Sequence, residues 1–201
     1  VKSLIEEDNF PTNDIAYKDC WAEESGKMSP FYAEEFSTAW GSTQINIAAN
    51  LSLIGTMLQK NSEGIVEFQD PRLEKIFKTN SNGEYIGGIS GTNYAGATSK
   101  LQVDYWCRPV ASYDMPVYMI TVAEVEFFIA EYEARYGTPS EATKHYNAAI
   151  KASFETVGAE DAESYINRYP FDVQKYKQII GEAKWVALAG VNNFEAWCEM
   201  R

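Results

Sequence analysis

The sequence holds a single histidine, His145, in 201 residues. Any Ser-His-Asp or Cys-His pair would have to use it, and a histidine-rich metal site is excluded. The three cysteines, Cys20, Cys107 and Cys198, form no CxxC pair, so zinc and redox spacings are absent. Three buried thiols are expected, because unpaired cysteine packs as a small hydrophobe. One disulfide plus a free thiol is the alternative. Apolar runs last a few residues, far short of the ~20 needed to span a bilayer as a helix. Basic residues are scarce as well: 17 Lys and Arg against 29 Asp and Glu leave a net charge of −12. A phosphate backbone requires a basic footprint, so no nucleic-acid partner is expected. The chain opens VKSLIEEDNF, with no initiator Met and no signal peptide, and stops at Met200-Arg201 inside a predicted helix. We therefore expect a piece of a longer protein.

What is present is a globular composition, 45% hydrophobic and 14% aromatic, which excludes a disordered chain. Segment 12–27 has Ile15, Cys20 and Trp21 among charges and predicts a modest amphipathic helix. Segment 43–59 places small and branched residues on nearly every face, predicting a helix buried on more than one side. Between about 60 and 120 the helical periodicity is lost among Gly, Asn and Pro residues. This stretch predicts long loops with two short strands. One helical turn interrupts it at DPRLEKIF (70–77), with Asp70 as cap, Pro71 at the first position, and Leu73, Ile76 and Phe77 on one face.

From Pro116 onward the chain reads as helical. Thr121 with Glu124 forms a capping-box signature, followed by Val122, Val125, Ile129, Tyr132 and Tyr136 at helical spacing. Gly137 stops this helix, and Thr138-Pro139-Ser140-Glu141 starts another carrying Ala142, Tyr146, Ala149, Ile150 and Phe154. A break this short predicts an antiparallel hairpin of helices 121–136 and 139–156. Thr121 to Phe154 spans about 34 residues, the size of a tetratricopeptide repeat, with no second copy in the chain. A third helix is predicted over 172–188 and a fourth from Asn192 or Asn193. Trp185 and Trp197, on those two helices, are expected to be buried packing residues. The fold class is thus mainly α, with helical hairpins, a loop-rich part at about 60–120 and a helical part at about 121–201.

Few motifs carry chemistry. GGISGTNYAGATSK (87–100) invites a phosphate-loop reading, but Ala97 stands where the Walker lysine is required, so a turn-rich surface loop is expected. Paired carboxylates occur at Glu6-Glu7, Glu23-Glu24, Glu34-Glu35 and Glu124/Glu126. Adjacent helical glutamates diverge by roughly 100°, a poor arrangement across a sugar ring. Glu124 has a capping role, and Glu126 is expected to face solvent. His145 reads as a half-exposed surface residue. No metal or other cofactor is expected. Tyr132, Tyr136, Tyr146, Phe154 and Trp185 read as core. Trp21, Trp40, Tyr85, Tyr94, Tyr105, Trp106 and Tyr113 lie in or beside the loop-rich half, among Asn, Ser, Asp and Arg. Such rings suit a neutral sugar surface, since pyranose C–H faces pack on aromatic rings while amides and carboxylates take the hydroxyls. The candidate ligand-binding residues are Tyr94, Tyr105, Trp106 and Arg108, with Trp21 and Trp40 as second choices.

Four blocks of sequence resemble SusD/RagB-like nutrient-binding proteins of Bacteroidetes. PVYMITVAEVEFFIAEYEARYG (116–137) matches that family's P-x-x-x-[ML]-T-x-A-E-V-x-F-[IL]-x-A-E segment, and a run like ATKHYNAAIKASFE (142–155) follows it. QIIGEAKWVALAGVNNFEAWCEMR (178–201) is similar to the family's block I-x-x-Q-K-W-[IV]-A-L followed by E-A-W-x-E-x-R, and DPRLEKIF to its D-P-R-L segment. The resemblance implies a helical fold with tetratricopeptide-like pairs and a variable looped half that contributes to ligand binding. It further implies a non-enzymatic lipoprotein, facing outward from the outer membrane on an N-terminal lipid anchor that is absent from this chain. Its expected partner is a TonB-dependent transporter, for which it captures a glycan or another nutrient. A helical scaffold contacting the transporter without touching ligand is the alternative, and a glycoside hydrolase domain a more distant one.

Overall fold

The computed structural model describes residues 2–7, 9–38, 47–90 and 105–199. In chain order its elements are α1 (Lys2–Glu7), β1 (Ile15–Tyr17), α2 (Pro30–Glu35), α3 (Leu51–Met57), β2 (Leu58–Lys60), β3 (Val66–Gln69), α4 (Leu73–Ile76) and β4 (Phe77–Lys78). They continue as β5 (Arg108–Pro109), β6 (Val117–Ile120), α5 (Val122–Tyr136), α6 (Pro139–Val157), α7 (Ala162–Arg168), α8 (Tyr176–Leu188) and α9 (Asn193–Glu199). The mainly helical expectation holds. The chain forms two compact units, a helical one of Val1–Ala16 with Val117–Arg201 and a loop-rich one of Tyr17–Pro116.

In the helical unit the local start and stop signals act as the sequence predicts. Thr121 Oγ1 accepts from the Glu124 amide at 3.2 Å, and the Glu124 carboxylate takes the Thr121 N–H in return. Gly137 closes α5 by donating to Glu133 O at 2.9 Å, and Thr138 Oγ1 at once accepts from the Glu141 amide at 3.2 Å to open α6. The two helices run antiparallel: Phe127 meets Tyr146, with ring centroids 6.1 Å apart, while Tyr118 Oη reaches Thr156 O at 3.3 Å nearer the far end. Ala123, Ala130, Ala142 and Ala149 are buried and let the helix axes approach closely. Tyr146 also stacks on Phe171 at 5.0 Å, and Phe154 packs on Tyr165 at 6.0 Å. Ile180, Ala183, Val186, Ala187 and Leu188 of α8 complete the core. The N-terminal segment joins through Asp14, which accepts from the Val122 amide at 2.8 Å and from Thr156 Oγ1 at 2.7 Å. Val122 is at the start of α5, where the amide has no intrahelical acceptor, so Asp14 satisfies an orphan donor.

The loop-rich unit is built from short antiparallel pairs. β2 faces β3 with Leu58 opposite Gln69 and Gln59 opposite Phe68, and β4 faces β5 with Phe77 opposite Pro109. Met57, Leu73, Ile76, Phe77 and Cys107 are buried. Beside them lies an ion pair with both side chains enclosed: Arg72 Nε donates to Asp70 Oδ1 at 3.0 Å and Nη2 to Oδ2 at 2.6 Å. Asp70 Oδ1 also accepts from the Arg72 amide at 2.9 Å, so the expected cap exists, although α4 itself starts only at Leu73.

Several expectations are corrected. Segment 12–27 is no helix: it is β1 followed by turns, with Asp19 at φ 57° and Gly26 at φ 80°. These left-handed residues cannot continue a right-handed helix. Among the described residues of 43–59 only α3 is helical, and Leu53, Ile54 and Met57 are its buried residues. Ala49 is drawn into backbone pairing with Gly88 and Cys107 instead, Ile47 O accepts from the Arg108 side chain, and 43–46 lie outside the described residues. More short strands form than the two expected. The predicted third helix starts at α8 after a 3-10 turn (Val173–Lys175), and α7 is an additional helix capped by Asp161 Oδ1. Trp185 is half-buried, while Trp197 is 46% exposed: Ala196 is the buried residue of α9, and the Trp197 ring lies 6.0 Å from that of the exposed Phe194. Tyr136, at the end of α5, is 73% exposed rather than core. Cys20 and Cys198 are exposed, Cys107 alone is buried, and all three are free thiols.

Candidate functional site

Three segments of the loop-rich unit, 47–51, 80–90 and 105–108, are laced into one frame. Ala49 N donates to Cys107 O at 2.9 Å, and Cys107 N to Ile86 O at 2.8 Å. Gly88 N donates to Ala49 O and Leu51 N to Gly88 O, both at 2.8 Å. Gly87 is required by this lacing: a Cβ there would lie 2.5 Å from Leu51 N and 2.6 Å from Asn50 C, well inside backbone contact. Asn50 caps α3 by accepting from the Ser52 amide at 2.7 Å, while its amide nitrogen donates to Ser90 Oγ. Asn80 is buried and bonded at both ends of its side-chain amide. Its Nδ2 donates to Tyr105 O at 3.0 Å, and its Oδ1 accepts from Asn82 N at 3.0 Å and Glu84 N at 2.9 Å.

This frame carries two of the predicted rings. Tyr105 is 50% exposed, and Trp106, next to the enclosed Cys107, is half-buried. Arg108 is in the same segment but faces the protein's own acceptors. Its Nη2 donates to Glu35 O at 3.0 Å and its Nε to Ile47 O at 3.3 Å, and its guanidinium carbon lies 4.3 Å from the centre of the Phe36 ring. Burial lowers the Arg108 pKa, and the Glu35 carboxylate, 3.9 Å away, opposes that shift. The Arg108 guanidinium thus braces 35–36 and 47 against β5. Trp21 is half-buried in the turns before α2, and its buried indole N–H meets no acceptor among the described residues. Trp40 and Tyr94, with most of the phosphate-loop run, lie outside the described residues.

Reactive groups are tied up elsewhere. Burial pushes the Cys107 thiol up to about 11 and raises Tyr85 as well, so neither is a ready nucleophile. Glu126, expected to face solvent, is half-buried with its Oε2 2.7 Å from His145 Nδ1 across the hairpin. Glu124 is buried; desolvation raises its pKa, the Lys184 charge counters this, and Glu195 and Glu199 add to it. Lys184 is itself buried, 2.9 Å from Glu199 Oε1 and 3.5 Å above the Phe128 ring. Among the described residues no group of three or more His, Cys, Asp or Glu is placed to hold a metal. The helical unit has a cavity of about 430 Å³ lined by Leu4, Phe10, Ile120, Val125, Phe128 and neighbours, but its walls are almost wholly apolar. Sugar hydroxyls would find few partners there.

Sequence reasoning missed Asn80, Asn50 and the Gly87-Gly88 pair as supports of the ring-bearing segment. Asn80-Ser81-Asn82-Gly83 does carry a turn signal. Its reach to Tyr105, 25 residues away, has no local signature.

One unit is helical, and the other carries Tyr105 and Trp106 on a hydrogen-bonded loop frame. The chain belongs to the SusD-like family described as "Starch-binding associating with outer membrane", whose model matches residues 43–201. Among solved structures, a SusD homologue from Bacteroides thetaiotaomicron is 26% identical, with a TM-score of 0.54 over 65% of this chain and 34% of that one. A SusD homologue from Bacteroides uniformis aligns at a TM-score of 0.65 and 20% identity over 92% of this chain and 42% of that one. A Bacteroides vulgatus protein aligns at 0.70 and 15% identity over 98% and 48%. The chain therefore spans between a third and a half of the length of these relatives. No curated protein matches it. The resemblance read from the four motif blocks holds.

Proposed function

We propose that this chain is part of a non-catalytic protein that captures a glycan at the cell surface, for import through a TonB-dependent transporter. The observation that carries the reading is the display of Tyr105 and Trp106 on a hydrogen-bonded frame, in a family described as starch-binding and outer-membrane associated. Rings held in place before binding lose little conformational freedom when they stack, which is how affinity arises without a metal or covalent chemistry. A net charge of −12 suits a neutral ligand. In this proposal Tyr105 and Trp106 stack on sugar faces, Tyr94, Trp40 and Trp21 extend the surface, and Arg108 offers any remaining donor to a hydroxyl. The protein is held at the outer membrane, facing outward, through an N-terminal lipid. The non-catalytic part of the reading is supported by the carboxylates: Glu35 faces Arg108, Glu124 caps a helix, and Glu126 meets His145.

The test is calorimetric titration of the full-length protein with maltoheptaose, followed by an assay for new reducing ends. Saturable binding without chain cleavage is expected. Release of reducing ends would replace the capture reading with hydrolysis, and absence of any binding would remove starch-type glycans as the ligand class.

A further inference from the structure

Gly87 and Gly88 open the run whose phosphate-loop reading fails, and a different use for the pair is visible in the frame. Neither residue has a positive φ, so the backbone at both would accept an L side chain. What excludes a side chain is space. At Gly87 the obstacle is backbone. At Gly88 the three nearest atoms belong to one side chain: a Cβ would lie 3.2 Å from both Cδ2 and Cε2 of Trp106 and 3.3 Å from Cε3. Those atoms belong to the six-membered ring of the indole, so that ring rests against the bare Cα of Gly88. Carbon atoms prefer about 3.5–4.0 Å, so an added methyl must displace something by a few tenths of an ångström. Gly88 is held on both sides by its bonds to Ala49 O and Leu51 N. Trp106 is tied through its neighbours, by Cys107 N to Ile86 O and by Tyr105 O to Asn80. The side chain is therefore the part that yields.

We infer that Gly88 is a positioning residue, whose missing side chain seats the Trp106 indole and fixes the ring plane on which a sugar face stacks. The stacking half of this rests on the glycan-capture reading; the seat itself does not. Offset stacking depends on the relative placement of the two faces, so a ring tilted by an intruding methyl loses contact without losing the fold.

The experiment is a double-mutant cycle of Gly88→Ala and Trp106→Ala in the full-length protein, read by urea midpoint and by calorimetric titration with maltoheptaose. A 19F spectrum of 5-fluorotryptophan-labelled protein accompanies it, with the Trp106 resonance identified by its loss in Trp106→Phe. Gly88→Ala should move that resonance, leave those of Trp185 and Trp197 in place, and raise Kd about three- to tenfold. In the Trp106→Ala background the same change should alter neither Kd nor the urea midpoint further. An unmoved Trp106 resonance, or an equal cost of Gly88→Ala with and without the indole, overturns the inference. Should Gly88→Ala fail to fold, a folded double variant supports the seat and an unfolded one overturns it. If the wild type ignores maltoheptaose, or Trp106→Ala binds as tightly as wild type, the glycan reading falls. The resonance and the stability cycle then still decide the seat.

Discussion

The two units of this chain are held together by different means. In the helical unit the buried side chains are mostly apolar and recur at helical spacing, and several polar contacts lie at helix ends, as with Thr121, Thr138 and Asp14. In the loop-rich unit elements of two to seven residues bury little each, and the frame depends on single polar residues that reach far along the chain. Asn80 holds Tyr105 and Arg108 holds 35 and 47, while the enclosed Asp70–Arg72 pair is a local polar link. Apolar packing tolerates substitution by spreading its loss over many contacts. A buried polar link concentrates it in one place. A unit built that way can hold its rings rigidly while leaving its surface free to vary.

The sharpest test of this contrast is Asp70→Ala, which removes the carboxylate paired with the enclosed Arg72 guanidinium. Breaking a buried pair by removing one partner costs about 3–5 kcal/mol. Hydrogen exchange should show the loss in residues 17–116 and leave protection of α5 and α6 unchanged. Protection lost equally in both units would mean that they do not respond separately. Asn80→Ala comes next, at about 1–3 kcal/mol for the donors it leaves unsatisfied, with Tyr105 becoming more exposed. Thr121→Ala should cost about 0.5–2 kcal/mol through its cap, confined to the hairpin.

A smaller effect separates the units by pH. The folded-state pKa of Glu124 lies above its unfolded value, so the native state binds the proton more tightly. The stabilisation tied to this group is full below the unfolded carboxylate pKa, about 4.3, and is lost as pH rises through the folded value. Glu124→Gln removes that dependence and keeps an acceptor for the Thr121 amide. Urea titrations from about pH 3.5 to pH 7 should show the variant gaining on wild type as pH rises; a constant difference would place no charge cost on Glu124. Thiol labelling at about pH 8 gives the mildest probe: Cys20 and Cys198 should react in the native protein and Cys107 only on unfolding.

How much of this was legible in the sequence follows the same division. The hairpin was readable because Thr121, Glu124, Gly137, Thr138 and Pro139 act within a turn or two of themselves. Segment 43–59 misled because its composition is helical, while Ala49 is claimed by pairing with Gly88 and Cys107, 39 and 58 positions away. Nothing local records such a partner. Of the candidate site, Tyr105 and Trp106 could be chosen as loop aromatics, but their supports could not. Arg108 is a candidate because it flanks that pair and could serve sugar hydroxyls or a carboxylate, whereas the structure commits much of its donor capacity to backbone carbonyls. Trp197 misled for another reason: a tryptophan in an apolar run reads as core, yet the buried stripe of α9 passes through Ala196.

The central claim, that a framed aromatic pair gives this protein its ligand, meets its most direct test in one titration. Maltoheptaose is added to the full-length wild type and to Trp106→Ala, with circular dichroism confirming that both are folded. A stacked ring contributes about 1–1.5 kcal/mol, so Kd should rise roughly five- to tenfold on removing the indole. Equal affinities for the two proteins would contradict the claim and move the ligand away from Trp106.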